Sequence, residues 1–307
     1  MIKSIFILGY KREKIFFSTL KKLKKCEYYN EFKKLVVFQD ISKKTIEKIK
    51  KIDHEIEVIK TKYKQNISAK YKISNNSYLG FKRCFEKYKS EYVIFLEDDI
   101  LPSYDFLKFH NDINMKYRDD KKFFAVNSFS KEYKKKNYID VNCIYSKFIY
   151  GIGKGWSTPI QRWPFLKKKY KELLYLKSDK DFDAYLEQDI KRKYYVIMPY
   201  KSRVIEQPSD GLHFKISNTK TKFYMHWKKS FLDKKKYQIK KYNFIQNMKY
   251  DWRKDCLKYN IINVIKTNIK LSSIKQAFIE LLEIFIGYKQ VVLVKKNIKI
   301  FCNKNIF

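Results

Sequence analysis

In the first two-thirds of the chain, short apolar runs alternate with longer stretches of mixed polarity. Runs of strand length fall at residues 4–8, 35–38, 56–59, 92–96 and 123–126, and another at 194–198 ends at Pro199. Residues 67–87 carry Ile73, Leu79, Phe81 and Phe85 at roughly helical spacing, which predicts a helix there. Strands separated by helical segments imply βαβ units, hence an α/β fold with a mostly parallel sheet flanked by helices. In such sheets ligands gather beyond the carboxyl ends of the strands. The polar residues at those ends are therefore the first candidates for function: 9–12, 39–40, 97–99 and 127–128.

After Gly151 the pattern changes to Trp- and Lys-containing helical segments. Beyond about residue 216 the chain is rich in lysine and lacks strand alternation. This predicts two parts, a core of residues 1–215 and a basic, mainly helical extension of residues 216–307. Within the extension, residues 274–286 are mostly apolar but include Lys275, Glu280 and Glu283. That run is too short and too charged for a bilayer span, which needs about 20 apolar residues. Packing against other helices and lying at a membrane interface both remain open for it. At the other end, the apolar run is followed by Lys11, Arg12 and Lys14 instead of a small-residue cleavage site. It reads as a first strand, not as a leader peptide.

Composition narrows the classes. A chain of 307 residues with 45% apolar content is ample for a large buried core, which argues against a small binding module or a disordered tail. Lys and Arg number 69 against 32 Asp and Glu, a formal net charge of +37. Such an excess suits a nucleic acid, an acidic membrane surface or phosphorylated ligands. An AT-rich genome would also produce it without functional cause. Five scattered cysteines form no metal-ligand spacing and read as buried free thiols in a reducing compartment.

Against this basic background the segment Glu97-Asp98-Asp99 stands out. A buried strand delivers three consecutive carboxylates to its carboxyl end, and Pro102-Ser103 then turns the chain into a helix. Adjacent acids repel one another unless a cation neutralises them, so a hard divalent ion with oxygen ligands is the natural occupant. A solvated turn capping the next helix is the plainer alternative. A metal held there is suited to a diphosphate, whose growing negative charge it would offset.

The stretch around this triplet resembles the DxD-type motif of GT-A glycosyltransferases, in particular the N-acetylglucosaminyltransferase I branch and bacterial family-2-like relatives. The resemblance implies a Rossmann-like GT-A core in which Asp99 binds Mn²⁺ or Mg²⁺, while Asp98 and Glu97 face the donor. Other matches follow in the same order along the chain. Val36-Val37-Phe38-Gln39-Asp40 resembles the segment whose aspartate reads a uracil ring, and Arg12 stands where the family has a donor-binding arginine. Asn76 stands where it has a histidine near the nucleotide, a departure from the family's pattern. The run 151–156, ending in Trp156, resembles a Gly-rich loop with an indole platform for a sugar. The run 181–186 resembles a W-D-D-W motif with Phe182 and Tyr185 in place of its tryptophans, and the resemblance puts Asp183 at the position of the motif's first aspartate, the catalytic base, with Asp181 and Asp179 as alternatives. Residues 198–203 resemble a P-x-x-S-R segment that would bring Arg203 to the donor, and His213 resembles a late histidine that completes the metal shell.

The resemblance covers residues 4 to about 215. It implies an inverting, metal-dependent transfer of a sugar from a nucleotide diphosphate, with a UDP-sugar favoured, to a hydroxyl of a glycan or lipid-linked acceptor. A cytoplasmic enzyme, peripheral on an anionic membrane face, would fit the charge. A retaining transferase and a nucleotidyltransferase stay open on the same fold. From a different class, a basic nucleic-acid-binding protein is the remaining alternative, although no RNP-type aromatic motif supports specific nucleic-acid recognition.

Overall fold

The computed structural model describes residues 1–129, 143–147, 154–175, 182, 185–186, 190, 194–199, 202–207 and 243–244. All lie within the unit Met1–Met248. Residues 274–286, Asp183 and His213 lie outside the described residues, as does nearly all of the lysine-rich extension.

The amino-terminal half alternates strand and helix: β1 (Lys3–Tyr10), α1 (Glu13–Lys24), β2 (Phe32–Gln39), α2 (Lys43–Ile52), β3 (Glu57–Thr61), α3 (Ala69–Lys82) and β4 (Tyr92–Glu97). A π-helical turn, Arg83–Lys87, extends α3. Then come β5 (Ile100–Pro102), α4 (Phe106–Tyr117), β6 (Phe123–Asn127), β7 (Cys143–Lys147), β8 (Trp156–Pro159), α5 (Trp163–Tyr175), β9 (Tyr195–Pro199), β10 (Val204–Glu206) and β11 (Asn243–Phe244). The main sheet has the order β11-β7-β9-β6-β8-β4-β1-β2-β3. Strands β1 to β4 run parallel, β6 and β9 pair in parallel, and β8 sits antiparallel between β4 and β6. The sheet is thus mixed and mostly parallel, as the strand spacing predicts.

The strands carry continuous apolar runs because both faces of the sheet are covered. On one face Phe6, Leu8, Leu35, Val37, Val93 and Phe95 pack beneath α3 and α5. On the other, Ile5, Ile7, Val36, Phe38, Ile94 and Leu96 pack with α1 residues Phe16, Leu20 and Leu23. Successive residues of each strand alternate between these two cores, the period-2 rule of a pleated strand. Helix α3 reaches the sheet closely because it carries Gly80, where a Cβ would lie 2.5 Å from the Phe6 ring. Cys26 and Cys84 are buried free thiols. Among the described residues no helix is long and apolar enough to cross a membrane.

Short strands missed by the hydrophobic pattern build the rest. Residues 156–159 form strand β8, not a helix, and a two-stranded antiparallel ladder joins β5 to β10. A buried ion pair locks that ladder. Arg203 is fully buried, its Nε donates to Asp105 Oδ2 at 2.8 Å, and its guanidinium lies 5.3 Å from the Phe109 ring centroid. Ser103 Oγ donates to the other Asp105 oxygen at 2.7 Å. Removing one partner of such a pair leaves a buried charge, so Arg203→Met is expected to cost about 3–5 kcal/mol in urea unfolding. A loss within about 0.5 kcal/mol, the usual size for a surface change, would contradict this role.

Behind the same ladder sits His110, fully buried on α4. Its two ring nitrogens meet Ser157 Oγ at 2.7 Å and Ser128 Oγ at 2.6 Å, one donating and the other accepting. Burial holds its pKa down to about 3. The folded protein therefore keeps a neutral imidazole, whereas the unfolded chain takes up a proton below about pH 6.5. The histidine's contribution is full above that pH and is lost as pH falls toward 3. At pH 5 the wild type should have lost about 2 kcal/mol of the advantage it holds over His110→Gln at pH 8. Parallel urea titrations at the two pH values measure this, and a constant gap would exclude a buried neutral histidine.

Candidate active site

The parallel strands change direction of succession between β1 and β4: β2 and β3 are added on one side of β1, and β4 returns to the other. The carboxyl ends on either side of that point are where a crevice forms in an open α/β sheet. The register puts Leu8 beside Glu97, Tyr10 beside Gln39, and Gln39 beside Thr61. Residues 10–12, 39–40, 61–63 and 97–99 consequently share one edge.

Local turns deliver the side chains. Lys11 takes a left-handed conformation, φ 51°, between β1 and α1, and Arg12 follows as the residue preceding the helix. Asp40 also has positive φ, 56°, at the end of β2. Aspartate tolerates this region better than most residues, and such conformations cluster at functional sites. Asp40 is exposed, and its carboxylate accepts from Gln39 Nε2 at 3.1 Å.

Arg12 bridges the acidic turn. Its Nη1 donates to Asp99 Oδ2 at 3.0 Å and its Nη2 donates to Asp98 Oδ1. The second Asp98 oxygen accepts the Tyr10 backbone N–H at 3.1 Å. Asp98 is 3% exposed, and burial raises its carboxyl to about 6, with Arg12 opposing the rise and Asp99 adding to it. Burial disfavours the Arg12 charge, yet the two carboxylates outweigh that cost and raise its pKa. The turn itself is rigidly held: Asp98 O accepts from Thr19 Oγ at 2.7 Å, and Asp99 O from the Gln207 N–H at 2.7 Å. Gln207 Nε2 also reaches Thr19 Oγ1 at 2.9 Å. Glu97, the last residue of β4, is partly buried.

The remaining candidates lie around this centre in different ways. Asn76, on α3, is buried and accepts from the Tyr63 hydroxyl at 2.5 Å, while Asn75 Nδ2 donates to the same hydroxyl at 2.8 Å. The Thr61 hydroxyl adjoins Tyr63. Trp156 is 3% exposed and packs on Phe81 and Phe95 in the core, so its indole gives no open platform for a sugar. Arg203 spends its guanidinium on Asp105 instead of facing the crevice. Sequence reasoning overlooked Asp105, Thr19 and Gln207, as well as the ion pair between Lys154 and the buried Glu206. Only Asp105 had a sequence signal, as an acid entering the helix after the acidic turn.

Among the described residues no three His, Cys, Asp or Glu side chains converge as metal ligands. The donor that stands partly open beyond the strand end is the Asp99 carboxylate. It fits a cation of the Mg²⁺ type, which takes one or two carboxylates and fills its shell with substrate phosphates and water.

The chain belongs to the GNT-I family, whose sequence profile matches residues 4–276. No curated protein sequence matches it significantly. Among solved structures it is similar to Staphylococcus aureus TarS residues 1–349, at 12% identity and a TM-score of 0.48, covering 67% of this chain and 60% of that one. It is also similar to the galactosyltransferase LgtC in complex with donor and acceptor sugar analogs, at 13% identity and a TM-score of 0.40, covering 64% and 73%. A third is the inositol-1-phosphate CTP transferase of T. maritima, at 14% identity and a TM-score of 0.41, covering 75% and 96%. The chain thus spans about 60% of the TarS segment's length.

Proposed function

We propose that this enzyme transfers a sugar from a nucleotide diphosphate, a UDP-sugar by preference, to a hydroxyl of a glycan or lipid-linked acceptor, with inversion at the anomeric carbon. The observation that carries the reading is the contact of Arg12 with Asp98 and Asp99 where β1 and β4 end side by side. It joins a phosphate-binding cation to carboxylates able to hold a ribose and a metal.

In this reading Asp40 accepts from the base, Asp98 and Glu97 hold the ribose or sugar, and Arg12 binds the diphosphate as a planar fork. Asp99 holds Mn²⁺ or Mg²⁺, which when bound neutralises charge on the leaving diphosphate. Asp183 takes the proton from the acceptor hydroxyl as its oxygen forms the bond to the anomeric carbon and the bond to the diphosphate breaks. His213 is the candidate for a second metal ligand. Arg203 and Trp156 act from behind, shaping the ladder and the core on which the acids stand. The positive charge suits an acceptor at an anionic bilayer on the cytoplasmic side.

A panel of nucleotide sugars, each with and without Mn²⁺, tests the proposal by thermal stabilisation and by hydrolysis. A UDP-sugar at 100 times its dissociation constant should add about 2.7 kcal/mol of stability, only with the metal present. Excess oligonucleotide should not remove the effect, because nucleic acid binds a chain of this charge only through its phosphates. Stabilisation by oligonucleotide alone, with no response to any nucleotide sugar, would favour the nucleic-acid reading instead.

A further inference from the structure

We propose that Arg12 couples metal and nucleotide binding, because its guanidinium occupies the carboxylate that a cation must use and gives it up only to a diphosphate. The coupling presupposes the nucleotide-diphosphate site described above.

One guanidinium nitrogen lies 3.0 Å from Asp99 Oδ2 and the other is on Asp98 Oδ1. The three side chains differ in burial: 29% exposed for Arg12, 14% for Asp99 and 4% for Asp98. Asp98 is therefore the inner anchor, Asp99 the outer ligand, and the arginine the member with room to move. The peptide groups of the acidic turn are tied to Thr19 and Gln207, so adjustment falls on the long side chain.

A guanidinium does not lose its proton in a protein. A divalent cation that approaches Asp99 meets a permanent positive charge already paired with the same carboxylate, and the two compete. A diphosphate changes the balance, because its oxygens offer the guanidinium a bidentate, doubly charged partner. Asp98 keeps the Tyr10 N–H when the arginine turns outward, so one of its two oxygens stays hydrogen-bonded. Metal alone should then bind weakly, nucleotide should strengthen it, and by linkage metal should strengthen nucleotide equally.

Calorimetric titration of the full chain with Mn²⁺, with and without saturating UDP, tests this without reference to turnover. The wild type should bind Mn²⁺ more tightly when UDP is present. Arg12→Gln, which leaves an uncharged side chain, should bind Mn²⁺ alone more tightly than the wild type, by about 5- to 150-fold, the usual span of coupling between sites. It should also lose the same factor from the UDP enhancement. Arg12→Lys, which keeps the charge but cannot bridge both acids, should shift in the same direction by less, and it serves as the test if the glutamine variant does not fold. Unchanged affinity for Mn²⁺ alone in the folded variants overturns the coupling. Failure of the wild type to bind Mn²⁺ and UDP together rejects the donor-site reading itself.

Discussion

Asp99→Asn is expected to abolish metal-dependent donor binding and to lower sugar transfer by roughly 10²- to 10³-fold, the effect of losing one preorganised electrostatic group. The amide oxygen can still accept from Arg12 Nη1, and the Asp99 peptide oxygen keeps its bond to Gln207, so the turn should hold its shape. What disappears is the negative charge that, in the proposed reading, would draw a hard cation to the strand end. Circular dichroism and melting should match the wild type, while titration with UDP should become insensitive to Mn²⁺. Normal donor affinity and turnover in this variant would remove the central claim about the site.

A larger loss, about 10²- to 10⁴-fold, is expected for Asp183→Asn, because a general base typically contributes that much. The distinction from Asp99 is in binding: the Asp183 variant should keep its affinity for nucleotide and Mn²⁺ and fail only in transfer. Inversion requires the base to stand across the anomeric carbon from the diphosphate, so NMR of the wild-type product should show the configuration opposite to the donor's. Retained configuration would exclude the single-displacement mechanism. Near-normal turnover in Asp183→Asn, with loss in Asp181→Asn, would move the role to the neighbouring aspartate.

The amino-acid sequence alone determined the sheet's core strands and singled out the acidic strand end as the candidate site. Residues 5–8, 35–38 and 92–96 are apolar without interruption because each strand is covered on both faces, and that demand is written locally. The acids at 97–99 were equally legible, since consecutive carboxylates after a buried strand need a counter-charge wherever they occur. The strand-end rule put Arg12 and those acids among the same candidates, and only resemblance gave Arg12 a role toward the donor. The structure supplied its cause in the parallel pairing of β1 with β4, which brings together residues 86 and 87 positions apart.

Tertiary structure alone decided the parts built from distant partners. β5 and β10 are three residues each, too short to show a period, and they exist because Pro102 and Val204 meet across the ladder. Arg203 reads as a donor-binding cation in a linear motif, but its fate was set by Asp105, a buried acid 98 positions away that an uncompensated desolvation cost would otherwise penalise. Trp156 reads as a loop platform beside glycines. It became core because the residues from it onward form β8 between β4 and β6, where Phe81 and Phe95 enclose its ring. Local pattern specifies which residues must leave water, whereas the partner that satisfies each buried charge or ring is chosen by long-range pairing, which no short window of sequence contains.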